Sequence, residues 1–275
     1  MYVLAMTVLT DPVEKYMSSP VQTVTADDDV SEAARVLREA DVSSLAVVGR
    51  DGSLAGVISF ADLLQMGHVL GRMTGGRTTL TLPSSCVGDV MTLHPVFVPH
   101  DATLLDAAKK MLEKRIHRVF VMRANELAGV VSTRDLMLAV ADAKIATPIA
   151  QYMSKPVLTV PAHETLARAV ERLAKAGVSG LVVMDEEQPS GLFTQLEAVA
   201  ARDLPPSTRV EEVVEYSVIC LPWRTPLYRA AAFAANTRAR RVLAMDGTEI
   251  RGILTALDFV KAALDPEPHR PVEED

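Results

Sequence analysis

Four segments of this chain repeat one order of elements at nearly constant spacing, and this regularity limits the fold more than any other feature. Each segment opens on a short helical turn that runs into Met or Val, over residues 13–17, 87–91, 149–153 and 210–214. Pro20, Pro95 and Pro156 follow in the first three. A β-rich run comes next, at 21–24, 96–98, 157–160 and 218–221. Apolar residues at three- and four-residue steps then predict amphipathic helices over 30–39, 104–114, 166–176 and 227–236. Two further β-rich runs complete each unit, the second beginning with Gly56, Gly129, Gly191 or Gly252, and a closing helix follows. From Met17 to Gly56 is 39 residues, and Met91–Gly129, Met153–Gly191 and Val214–Gly252 are each 38. The extra residue falls in Gly49-Arg50-Asp51-Gly52, a hairpin turn signal.

The expected fold is therefore α/β, built from four βαββα units at 12–66, 86–142, 147–202 and 207–264. Residues 67–85 carry several glycines and predict a flexible linker. The proline- and charge-rich tail 265–275 is expected to be disordered. Apolar residues make up 49% of the chain but aromatics only 4%, so the core should be built from Ala, Val and Leu. A net charge of −7 weighs against a nucleic-acid binder. Cys86 and Cys220 are too few for a disulfide framework and are expected as buried thiols in a reducing cytoplasm. The apolar stretch 1–10 lacks a basic flank and is too short to span a bilayer, so no membrane association is expected.

A motif recurs at the start of each closing helix: Gly56…Ser59…Asp62, Gly129…Ser132…Asp135 and Gly252…Thr255…Asp258, with Gly191…Thr194…Glu197 departing from it. Four such motifs in register, each after the same strand-helix-strand grammar, resemble the CBS domain, the regulatory module of the cystathionine-β-synthase type. The resemblance covers about residues 12–264. It implies that consecutive units associate through their sheets about a pseudo-twofold axis, copy one with two and three with four, as two CBS pairs.

The motif has two physical readings. A carboxylate such as Asp135 can accept both hydroxyls of a ribose, with Ser132 one turn back and Arg134 supplying positive charge to an anion at the helix start. Equally, Ser/Thr-x-x-Asp/Glu is a capping box that satisfies the helix's own amides. Ahead of the second strand, copy two carries His117 and Arg118 and copy four Arg240 and Arg241, where copy one has Ser43 and Ser44 and copy three Ser179 and Gly180. The CBS resemblance implies that this place lies near ligand phosphates, which makes copies two and four the candidates for them. It implies, too, that the first strand, around Val98, offers backbone groups and apolar contacts to a base. The candidate ligand set is thus His117, Arg118, Ser132, Arg134, Asp135 and Val98, with Arg240, Arg241, Thr255 and Asp258, and with Ser59 and Asp62 in copy one.

No P-loop, dinucleotide fingerprint, nucleophile elbow or metal-ligand spacing is present in the sequence. The repeats occupy the chain, so no catalytic residue and no metal site are assigned. The expectation is a cytoplasmic, non-catalytic sensor that binds an adenine nucleotide (AMP, ADP or ATP) as a regulatory ligand and signals to a separate effector protein, as a homodimer. The alternatives are an adaptor with degenerate pockets and an S-adenosylmethionine sensor. The latter leaves Arg118, Arg134, Arg240 and Arg241 unexplained, because that ligand has no phosphate.

Overall fold

A computed structural model describes residues 9–64, 66, 84–124, 126–201, 204–214, 216 and 218–265. The expectations for 67–83, for the first eight residues and for 266–275 fall outside the described residues.

All four repeats adopt the βαββα order. The amphipathic helices span Val30–Glu39, Leu104–Lys114, Leu166–Ala176 and Leu227–Asn236, with the bounds that apolar periodicity predicts. In each, one stripe is sealed: Val30, Ala33, Ala34 and Leu37 in repeat one, Leu227, Ala230, Ala231, Ala234 and Ala235 in repeat four. The opening strands sit one or two residues later than the β-rich runs, at Thr23–Thr25, Phe97–Pro99, Thr159–Pro161 and Ile219–Pro222. Each pairs in parallel with the first hairpin strand, at Ser44–Val48, Arg118–Arg123, Gly180–Asp185 and Arg241–Asp246. The latter is central and pairs antiparallel with the strand that holds the glycine. That last strand starts ahead of the glycine in every copy, and each hairpin carries a register shift before or beside it. The bulge keeps the alternation of buried and half-buried side chains in phase with the core.

The turn at the end of the first helix is left-handed in all four copies: Asp41, Arg115, Gly177 and Arg238 have φ of 50°, 53°, 62° and 57°. Only one of the four is glycine, the residue that takes this conformation without steric cost. The turn reverses the chain so that the second and third residues after it enter the central strand.

The lead-in turns are exchanged between copies. The turn Val13–Lys15 of repeat one sits on repeat two, through the Pro12–Thr103 and Ser18–Val130 bridges. The helix Val87–Val90 of repeat two sits on repeat one: Asp29 bridges Cys86, and Thr92–Leu93 adds a fourth strand to the sheet of repeat one. Repeats three and four are joined in the same way, by Pro148–Pro226, Ser154–Ile253 and Thr165–Arg209. The exchange links one with two and three with four, as two CBS-type pairs.

Compactness cuts across those pairs. One unit comprises 1–20, 96–157 and 218–275, the bodies of repeats two and four with the lead-ins of one and three. Its core is continuous from Leu104, Met111, Leu136 and Val140 to Ala230, Ala234, Phe259 and Val260. The other comprises 21–95 and 158–217, with the bodies of repeats one and three and a core including Leu37, Ile58, Leu63, Leu173 and Phe193. Small side chains dominate the helix contacts, as the low aromatic content predicts. The expectation of buried cysteines is corrected: Cys86 and Cys220 are both exposed. Cys86 is the residue that precedes a short helix, and Cys220 lies on the edge strand of its sheet with an outward side chain.

Candidate functional site

Strand register brings the two sequence signals together within each copy. Arg118 pairs with Ser132, Arg241 with Thr255, Ser44 with Ser59 and Gly180 with Thr194. The residues entering the central strand therefore stand beside the start of the closing helix. In repeat two the Thr133 amide also donates to the His117 carbonyl at 2.9 Å, which ties the two segments at that end.

The capping box is formed in every copy. Asp135 Oδ2 accepts from the Ser132 amide at 2.7 Å and from the Ser132 hydroxyl at 2.8 Å. Asp258 Oδ2 accepts both donors of Thr255 at 2.7 Å, and Asp62 Oδ2 accepts those of Ser59 at 2.8 and 2.6 Å. In repeat three the longer Glu197 reaches back to the Thr194 amide and hydroxyl and is itself buried. A cap employs only one carboxylate oxygen, so the capping and ligand readings of the motif are compatible. Among the described residues, Asp135 Oδ1 accepts no hydrogen bond, and the second oxygens of Asp62 and Asp258 differ from it in a way sequence reasoning missed. Thr92 Oγ1 donates to Asp62 Oδ1 at 3.3 Å, and Ser154 Oγ donates to Asp258 Oδ1 at 3.1 Å. Both hydroxyls come from an exchanged lead-in. The available signal was that each follows the lead-in methionine, as Met91-Thr92 and Met153-Ser154, with Met17-Ser18 in the same position.

Repeats two and four lie in one unit, and their basic residues converge there. His117 is held neutral, its pKa lowered to about 4 by burial first and then by the positive charges of Arg240, Arg241 and Arg118. The expectation that it contributes a cation is thereby corrected. Arg118 is depressed to about 10 by burial and by Arg240, with Asp135 acting in the opposite sense. Burial raises the pKa of Asp135, opposed by the Ser132 hydrogen bonds and by Arg134. Arg241 is buried. Arg134 Nε donates to the Ala235 carbonyl at 3.0 Å, so repeat two caps the last turn of the first helix of repeat four with a cation. Electrostatically this corner of the unit gathers like charge that an anion would relieve.

Other residues are placed differently. Val98 is sealed in the core at 1% exposure, so its side chain has no surface to offer, and its backbone lies on the edge strand of the sheet. Ser59 and Asp62 lie in the other unit, whose matching positions before the central strand are Ser43, Ser44, Ser179 and Gly180 in place of the arginines. Among the described residues no helix is long and apolar enough to cross a membrane, and no group of three or more His, Cys, Asp or Glu is placed to hold a metal ion.

The profile of the CBS domain matches residues 13–68, 87–142 and 149–203. Among curated proteins, an uncharacterised 33.4 kDa protein in a ribosomal RNA operon of Thermofilum pendens is 26% identical over 184 residues, 62% of this chain and 58% of that protein. The chain thus spans little more than half the length of that relative. Among solved structures, protein MJ1225 of Methanocaldococcus jannaschii, a proposed archaeal homolog of g-AMPK, is 20% identical. It covers 91% of this chain and 99% of its own length at a TM-score of 0.80. An uncharacterised conserved protein from Pyrococcus horikoshii covers 92% of this chain and all of its own at 0.63, with 21% identity. At these identities the structures establish the four-repeat fold.

Proposed function

We propose that this chain, which belongs to the CBS-domain family, is a non-catalytic regulatory protein that binds an adenine nucleotide in the unit made by repeats two and four. The observation that carries the reading is the convergence of Arg118, Arg240 and Arg241 around a neutral His117, beside two carboxylates whose capping role employs one oxygen each. A nucleotide supplies both partners: phosphate oxygens for the arginines and a ribose diol for Asp135 or Asp258. Binding shifts the packing of the repeats only through a difference in affinity between two states, and a separate protein reads that shift. Unphosphorylated S-adenosylmethionine would leave the arginine cluster unneutralised and is the weaker candidate.

Thermal unfolding tests this directly, with AMP, ADP, ATP and S-adenosylmethionine each added to wild type and to the Asp135→Ala/Asp258→Ala double variant. A ligand at a hundred times its Kd adds about 2.7 kcal/mol, or roughly 5–10 °C at about 2–4 °C per kcal/mol. The expected outcome is a shift with a phosphorylated nucleotide that disappears in the double variant. Absence of any shift at millimolar ligand would reduce the motif to a helix cap.

A further inference from the structure

The exchanged lead-ins meet the proposed diol sites, and they do so unequally. The three lead-ins that end in methionine are pinned by the same device. A methionine lies flat on the glycine of the last strand: a Cβ on Gly129 would sit 2.5 Å from Met17 Sδ, on Gly56 2.6 Å from Met91 Sδ, and on Gly252 2.6 Å from Met153 Sδ. The next residue then makes a short antiparallel contact one position beyond that glycine. Ser18 exchanges backbone hydrogen bonds with Val130 at 2.9 and 3.1 Å, Ser154 does so with Ile253 at 2.8 and 3.1 Å, and Thr92 pairs with Val57. This places a hydroxyl two residues before the acid's capping partner on the neighbouring copy.

From there the copies diverge. A carboxylate has about four acceptor positions. In Asp62 and Asp258, Oδ2 holds the two donors of its own cap, and Oδ1 already accepts Thr92 or Ser154. One position is left for a ligand. In Asp135, Oδ2 is equally filled, but Oδ1 accepts no hydrogen bond among the described residues, and two positions remain. A vicinal diol docking through both hydroxyls needs two.

We infer that Thr92 and Ser154 are internal occupants of the diol-binding oxygens of repeats one and four, so that a ribose enters repeat two directly but must displace a lead-in hydroxyl to enter the other two. The inference rests on the nucleotide reading above and adds to it an order of filling and a movable element. The lead-in is the displaceable partner because its hydroxyl bond is exposed, whereas the acid's cap bonds are part-buried. Ligand in repeat four therefore acts on residues 153–154, the chain that continues into repeat three.

Calorimetric titration of the full chain with AMP tests this. Asp135→Ala should remove the tightest site and leave weaker binding. In that background Ser154→Ala should tighten the remaining binding about fivefold, the equivalent of one modest hydrogen bond, and Ser154→Thr should not. Adding Asp258→Ala should abolish the gain, which a merely structural effect of Ser154 would not predict. The Met153–Gly252 packing and both backbone bonds survive in Ser154→Ala, so the lead-in keeps its place. Unchanged or weaker binding in Ser154→Ala would overturn the displacement while leaving nucleotide binding intact. No binding by wild type would overturn the nucleotide reading and the displacement together.

Discussion

His117 shows how a residue's chemistry is set by its neighbours rather than by its type. Burial lowers the pKa of its imidazole first, and the positive charges of Arg240 and Arg241 of repeat four and of the adjacent Arg118 lower it further. With a pKa of about 4 in the folded chain and about 6.5 unfolded, it binds fewer protons when folded. Its contribution to stability is therefore whole above about pH 6.5 and is lost as pH falls toward 4, by up to roughly 3 kcal/mol. His117→Gln should flatten the pH dependence of the unfolding midpoint between pH 6.5 and 4. An anion seated among the arginines raises the same pKa, so its binding should take up a proton. Sulfate keeps its charge over this range, and it should stabilise wild type more at pH 5 than at pH 7.5, a difference that His117→Gln removes. The sequence supplied the basic pair in copies two and four but not its protonation, because burial and two of the arginines responsible, Arg240 and Arg241, come from packing with residues more than a hundred positions away along the chain. Ser154 and Thr92 were illegible for the same reason: each hydroxyl reads as loop chemistry until the lead-in is laid on another repeat.

The elements themselves were legible. Helix bounds followed apolar periodicity because one buried stripe decides where each helix can run, and in three copies glycine marked the last strand because a methionine needs the space above it. Two devices at this scale invite measurement. Arg115 holds the left-handed turn at φ 53° where repeat three uses Gly177. Arg115→Gly should relieve about 1 kcal/mol and raise the calorimetric midpoint by roughly 2–4 °C. Conversely, a methyl group at Gly129 would meet Met17 Sδ, Cγ and Cβ at 2.5, 2.9 and 3.2 Å. Gly129→Ala should cost about 1–3 kcal/mol by overpacking, read as a lower midpoint with faster exchange at the Ser18 amide. Opening strands fell one or two residues from their β-rich runs, since those short strands are set by pairing with the central strand more than by their own side chains.

At the scale of the whole molecule, each compact core is assembled from segments far apart in sequence. Ala230, Ala234 and Phe259 of repeat four close over Leu136 and Val140 of repeat two, and repeats one and three share the other core. A fragment ending at residue 146 would hold repeats one and two but leave both helix faces uncovered. Its exposed apolar surface should drive self-association, so light scattering should show a dimer or larger species rather than a monomer. By itself the sequence determined the fourfold repeat, the order of elements, the helix bounds, the small-residue core and the Ser/Thr-x-x-Asp motif, all of which arise from contacts within about sixty residues. Only the tertiary structure decided which repeats share a core, that His117 is neutral among arginines of another copy, and that two of the three motif aspartates already hold a lead-in hydroxyl. Those are consequences of distances across repeats, which periodicity along a chain does not encode.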